Sequence, residues 1–141
     1  MRRSFGKKVV PSEREVTERF IGSGILRGNW EREVGVGMKH LKRELEEIPD
    51  YYNASEKRFY PFLKRIDLIC ESEGAIWILE VKSILDVTAI GQVLLYKHLY
   101  EMDNPTEKDM LKMGIVCWLA NITIEDVCNK HGIVVFSETQ S

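Results

Sequence analysis

The stretch Met113–Ala120 constrains the fold more than any other part of this sequence, because it is almost continuously apolar and of strand length. A strand that is apolar on both sides is buried on both faces, so it belongs to a sheet with cover above and below. Helices supply such cover in α/β domains. Helical spacing precedes the run over Asp86–Glu101, and a short helical segment, Thr123–Lys130, and a last β-rich run, Ile133–Phe136, follow it. Upstream, Lys64–Cys70 and Ala75–Ser83 are two further β-rich runs, parted by Glu71-Ser72-Glu73-Gly74, a polar break of the length that joins antiparallel strands. At 141 residues the chain is long enough for one core and too short for two. The expectation is a single α/β domain over 1–141: a central mixed β-sheet flanked by helices, with a basic arm over 1–10 and a core from about residue 30 to 137.

In the first third, Ser12 with Glu15 three residues on forms a capping box that opens a short helix to about Ile21, broken by Gly22, Gly24 and Gly28. Trp30, Val34, Met38, Leu41, Leu45 and Ile48 are spaced at three and four, which predicts a long amphipathic helix ended by Pro49-Asp50. Residues 51–63 are aromatic and basic, and a strand is expected within them.

Twenty basic against 22 acidic side chains leave a formal charge of −2. That balance removes the footprint of a generally basic nucleic-acid-binding domain and confines any such function to local clusters. Cys70, Cys117 and Cys128 form no CxxC pair, so zinc and redox motifs are excluded, and three buried thiols in a reducing cytoplasm are expected. Arg2, Arg3, Lys7 and Lys8 make the start basic without the apolar stretch of a secretory signal, and no run reaches the roughly 18 apolar residues of a membrane span. The expected location is cytoplasmic, with no membrane partner. His40, His98 and His131 share no spacing that would make a metal or catalytic set.

Chemistry concentrates in the second strand of the expected hairpin. Alternation along Ala75–Lys82 puts Ile76, Ile78, Glu80 and Lys82 on one face, so a buried face turns charged at one end. The strand before it carries Asp67 between large apolar neighbours, where an unpaired charge is costly. Adjacent strands let Asp67 and Glu80 converge, and two carboxylates that close repel unless a divalent cation lies between them; Mg²⁺ or Mn²⁺ suits such an all-oxygen site. Lys82, one step beyond Glu80, is placed to orient an attacking water or to stabilise charge developing on a phosphate. Gln92 and Tyr96 fall one turn apart on the following helix and share a face. Each has a plainer alternative: an ion pair at a strand end for Glu80 and Lys82, an edge position facing water for Asp67, an amphipathic boundary for Gln92 and Tyr96.

Together, Asp67, then Glu80-Val81-Lys82 on the next strand, then Gly91-Gln92-Val93-Leu94-Leu95-Tyr96 on the helix after it resemble the PD-(D/E)xK nuclease superfamily. This is the restriction-endonuclease-like fold of archaeal junction resolvases and RecB-like nucleases, and the element order over residues 30–120 agrees with its αβββαβ core. Ile66 stands where the motif has Pro; a literal Pro-Asp occurs at Pro49-Asp50, a helix end where both are expected without any function. The resemblance implies a metal-dependent nuclease hydrolysing phosphodiester bonds in DNA. It assigns Asp67, Glu80 and the Val81 carbonyl to Mg²⁺ (or Mn²⁺), Lys82 to the nucleophile, and Gln92 and Tyr96 to holding Lys82 or a phosphate. It also implies a further acid on the helix preceding the sheet. Glu31 and Glu33 both qualify; on the helical wheel Glu31 lies about 65° from the centre of the apolar stripe and Glu33 about 95°, which favours Glu31 as a metal-assisting group. A first-turn acid that favours the helix dipole is the alternative for it. Three cysteines are too few for the four-cysteine iron–sulfur cluster of some RecB-like nucleases.

Lys57, Arg58, Lys64 and Arg65 interleave with Phe59, Tyr60 and Phe62, a pattern that tracks a phosphate backbone and stacks on bases, and equally one that forms a solvated face. The expected partner is DNA, with duplex, branched and single-stranded forms all open. One compact site cuts one strand, so double-strand cleavage calls for a symmetric homodimer. The rival reading is a non-catalytic nucleic-acid-binding or assembly module that keeps the fold.

Overall fold

A computed structural model of the chain describes residues 9–37 and 64–140. Helix α1 (Glu13–Ser23) begins where the capping box predicts: the Ser12 hydroxyl accepts from the Glu15 N–H at 3.1 Å, and the Glu15 carboxylate accepts from the Ser12 N–H at 3.3 Å. Strands β1 (Asn29–Val36), β2 (Lys64–Ser72) and β3 (Ala75–Ile84) follow as an antiparallel meander. Gly28 leads into β1 so close to β2 that a Cβ there would stand 1.7 Å from the Glu71 carbonyl oxygen. The β2–β3 turn is Glu73-Gly74, with φ of 50° and 79°, a pair of positive values whose twist matches that of the flanking strands.

Helix α2 (Val87–Asp103), capped by Asp86, leads through a short 3-10 helix (Pro105–Met110) to β4 (Leu111–Ala120). Helix α3 (Ile122–Lys130), capped by Asn121, leads to β5 (Ile133–Gln140). Strands β4 and β5 continue the sheet in parallel, so the described residues form a five-stranded mixed sheet in the order β1-β2-β3-β4-β5. On one face α1 packs Val16 and Phe20 against Leu68, Leu79, Val81 and Val116. On the other, α2 and α3 pack Ala89, Val93, Tyr96, Leu99 and Cys128 against Ile69, Ile76, Ile78, Ile115 and Ile133. Strand β4 is buried from Gly114 through Cys117, the two-faced burial its composition predicts. The three cysteines are free and buried in these two layers. Among the described residues, no helix is long and apolar enough to cross a membrane.

The long helix expected from Trp30 to Ile48 is not what its first part forms: Asn29–Val36 is strand β1. Residues 38–48 lie outside the described residues, as do Pro49-Asp50 and the strand expected within 51–63. The spacing misleads because the strand changes face. Trp30 packs on the α1 side, whereas Val34 and Val36 pack on the α2 side. The change falls at Glu33, whose φ is 50°. Strand β2 does the same at the same level, with Leu68 and Cys70 toward α1 and Ile66 toward α2. The β1–β2 ladder pairs Arg32 with Leu68 and Val34 with Ile66, passing over Glu33 and Asp67 between them. The helix ahead of the sheet is therefore α1, which lies before residue 30.

Candidate active site

The β2–β3 ladder ends at the Leu68–Leu79 pair, one step short of where Asp67 and Glu80 would face each other. Strand β2 stays with β1 as far as the Val36–Lys64 pair, so a wedge opens between β2 and β3. Asp67 fills it: its Oδ2 accepts from the Val81 N–H at 2.8 Å, doing for β3 what a backbone carbonyl would have done. Glu80 sits beside it, only 4% exposed, with an Oε1 that has no hydrogen-bond partner. Burial first, then the Asp67 charge and a hydrogen bond between the two carboxyl groups, push Glu80 up to about 8, against the pull of the Lys82 ammonium. At neutral pH the pair therefore holds a proton. A cation that replaces this proton satisfies both oxygen donors, so the residues present fit a hard divalent ion. Among the described residues no three or more His, Cys, Asp or Glu side chains are arranged to hold a metal. Two carboxylates, with the Val81 backbone beside them, are what the wedge provides.

Lys82 follows on the same face of β3, its side chain 23% exposed and its Nζ 3.5 Å from Asp86 Oδ2. From α2, Tyr96 is buried against the pair; burial, then the Glu80 and Asp67 charges, raise its hydroxyl above the usual tyrosine range, and Gln92 hydrogen-bonds to it. The Gln92 Oε1 is itself buried without a partner. The structure thus brings Asp67, Glu80, Val81, Lys82, Gln92 and Tyr96 to one place, the point where β2 and β3 part.

Glu31 does not join them. It is exposed on β1 opposite Ile69, and its charge bears on the Tyr100 hydroxyl instead. The helical wheel that favoured it describes a segment that is a strand. Glu33 borders Asp67: a cleft of about 470 Å³ on the α1 side is lined by Glu13, Arg14, Thr17, Arg32, Glu33, Asp67 and Val81. Glu13, in the first turn of α1, is near enough to add to the rise of Glu80. Its position follows from Ser83, whose Oγ donates to the Pro11 carbonyl at 2.6 Å and seats the start of α1 at the end of β3. Its only sequence signal was a place beside a capping box, which speaks of helix starts and not of sites. Arg32 pairs across to Glu18 on α1. Of the basic residues expected to meet phosphate, Arg65 is exposed on β2 and Lys64 begins that strand, while Lys57 and Arg58 lie outside the described residues.

No family model and no curated protein matches the chain. Among solved structures, a repair endonuclease from Pyrococcus abyssi is similar at 17% identity and a TM-score of 0.46, over 52% of this chain and 32% of that one. The EndoMS–dsDNA complex is similar at 11% identity and a TM-score of 0.54, over 92% of this chain and 45% of that one. The fold is restriction-endonuclease-like. At such identities the likeness speaks to the fold alone, and this chain spans less than half the length of either neighbour. Within the restriction-endonuclease-like order, α1 is the first helix, β1 to β3 the meander, α2 the crossover and β4 the parallel strand, with α3 and β5 added.

Proposed function

We propose that this chain is a divalent-metal-dependent nuclease that hydrolyses phosphodiester bonds in DNA. The observation that carries the reading is the Asp67–Glu80 pair, a buried carboxyl with an unpartnered oxygen pushed up to about 8 beside a second acid. A purely structural role leaves such a group unexplained, since an apolar side chain of similar size would cost less there.

Asp67, Glu80 and the Val81 carbonyl would hold Mg²⁺ or Mn²⁺, which when bound supplies Lewis-acid polarisation of a phosphate and a water acidic enough to attack it. Lys82 reaches the same edge from the more exposed side, orients the attacking oxygen and offsets negative charge developing on the phosphate. The Gln92–Tyr96 pair closes the α2 side, and burial keeps the Tyr96 hydroxyl protonated as a neutral donor beside the acids. The cleft between α1 and β1 gives a phosphate its approach to Asp67, with Arg14 and Arg32 on its walls. DNA is supported as the substrate by the similar solved structure described with double-stranded DNA. A net charge of −2 offers no general attraction, so local basic side chains must supply it. Cleavage of both strands of a duplex calls for a homodimer.

The test is incubation with single-stranded, duplex, flap and four-way-junction DNA in Mg²⁺, Mn²⁺ or EDTA. Metal-dependent cleavage of at least one substrate, abolished in Glu80→Gln, is expected. No cleavage of any, together with equal calorimetric Mn²⁺ binding by wild type and Glu80→Gln, leaves a non-catalytic binding or assembly module in its place.

A further inference from the structure

The backbone on the C-terminal side of Lys82 is pinned twice. The Ser83 hydroxyl donates to the Pro11 carbonyl at 2.6 Å, and Leu85, itself buried, donates its N–H to the Leu119 carbonyl at 2.9 Å. The next residue, Asp86, uses its two carboxylate oxygens separately. Oδ1 accepts from the Ala89 N–H at 3.0 Å and caps α2, while Oδ2 lies 3.5 Å from Lys82 Nζ. Capping needs one oxygen, and Asn or Ser provides it as well as Asp. The second oxygen is what a carboxylate adds, and it meets the lysine of β3. Asp86 therefore competes with Glu80 for one ammonium, which is close enough to act on Glu80 yet paired with Asp86.

We propose that Asp86 is a positioning residue of the active site: from the N-terminus of α2 it holds the Lys82 ammonium beside, and not between, the two metal-binding acids, so that the lysine faces the phosphate. The role rests on the nuclease reading. It also ties Lys82 to the helix that carries Gln92 and Tyr96, so both halves of the site are set by one element.

Three variants separate this role from capping. Asp86→Asn keeps the cap and loses the charge, Asp86→Glu keeps the charge and loses the preferred cap, and Asp86→Ala loses both. Asp86→Asn should lower kcat about twofold to fivefold, the loss expected of a part-exposed ion pair, with KM and thermal midpoint little changed. Asp86→Glu should melt lower yet retain most of the activity. In ¹³C-lysine-labelled protein, the two ε protons of Lys82, assigned through Lys82→Arg, should be inequivalent in the wild type and in Asp86→Glu and should merge in Asp86→Asn. Activity that follows melting temperature across the three variants, or ε protons indifferent to Asp86, overturns the positioning role and leaves the nuclease reading standing. No cleavage by the wild type overturns both.

Discussion

Glu80→Gln, studied without metal, isolates what the buried acid costs the fold. Glu80 ionises near its ordinary 4.5 in the unfolded chain and near 8 in the folded one. Between those values the unfolded chain releases a proton that the native state keeps. The stability present below about pH 4.5 therefore declines as pH rises and is gone once pH passes the folded value. At about 1.4 kcal/mol per pH unit the full effect is on the order of 5 kcal/mol. Relaxation around a buried pair lessens this, and about 2–3 kcal/mol is the expected remainder. The glutamine variant cannot ionise and still offers Asp67 a donor. In EDTA it should differ little from wild type near pH 5 and exceed it by that amount near pH 8.5, a thermal midpoint roughly 6–12 °C higher. Urea unfolding followed by tryptophan fluorescence at the two pH values reads the difference. Adding Mn²⁺ at the higher pH should raise the stability of the wild type and leave the variant where it was, because on the proposed reading the ion binds the ionised pair. Parallel pH profiles for the two proteins would refute the reasoning, since they would mean that Glu80 ionises freely in the native state.

Lys82→Ala should slow cleavage by roughly 10²–10³-fold, the loss expected when one preorganised donor to developing charge is removed, while calorimetry shows unchanged Mn²⁺ affinity. Cleavage at the wild-type rate would remove Lys82 from the chemistry. Replacing Lys57, Arg58, Lys64 and Arg65 together with Gln should weaken DNA binding and flatten its salt dependence in fluorescence anisotropy; an unchanged slope would put the DNA elsewhere. Gly28→Ala sets a methyl 1.7 Å from the Glu71 carbonyl oxygen, so β1 must move off β2 and thermal unfolding should register a loss of roughly 3 kcal/mol or more. A midpoint within a degree of wild type would contradict that close approach.

What was legible in the sequence followed from local periodicity. The β2–β3 hairpin, α2, β4, α3 and β5 each carry their own spacing or turn chemistry, and each lies where that chemistry put it. Strand β1 was illegible because its face changes at Glu33, turning an alternation of two into an apparent spacing of four between Trp30 and Val34. The lone acid at Asp67 was conspicuous because its neighbours are Ile66 and Leu68, and the structure answers the cost of burying it with the Val81 N–H. Glu13 carried no such mark, since its nearness to Glu80 depends on a contact between Pro11 and Ser83 that no local pattern encodes. Asp86 entered only as the opening of a helical run, because a cap and an ion pair made by the same carboxylate look alike until the lysine is placed beside it.

The Asp67–Val81 bond has a consequence for how this molecule can be dissected. Every ordinary rung of a β-ladder ends on an amide carbonyl, which neither titrates in the range where proteins fold nor exchanges a proton for a cation. This rung ends on a carboxylate, so the sheet contains one cross-tie whose strength depends on what else that carboxylate holds. Removing Asp67 therefore cannot be a clean knockout: the Val81 N–H loses its acceptor, and inactivity in such a variant has two explanations that rate measurements cannot separate. Variants at Glu80 and Lys82 leave the tie in place, and the amide proton of Val81, read by NMR, becomes a built-in gauge of whether that bond is intact in each of them.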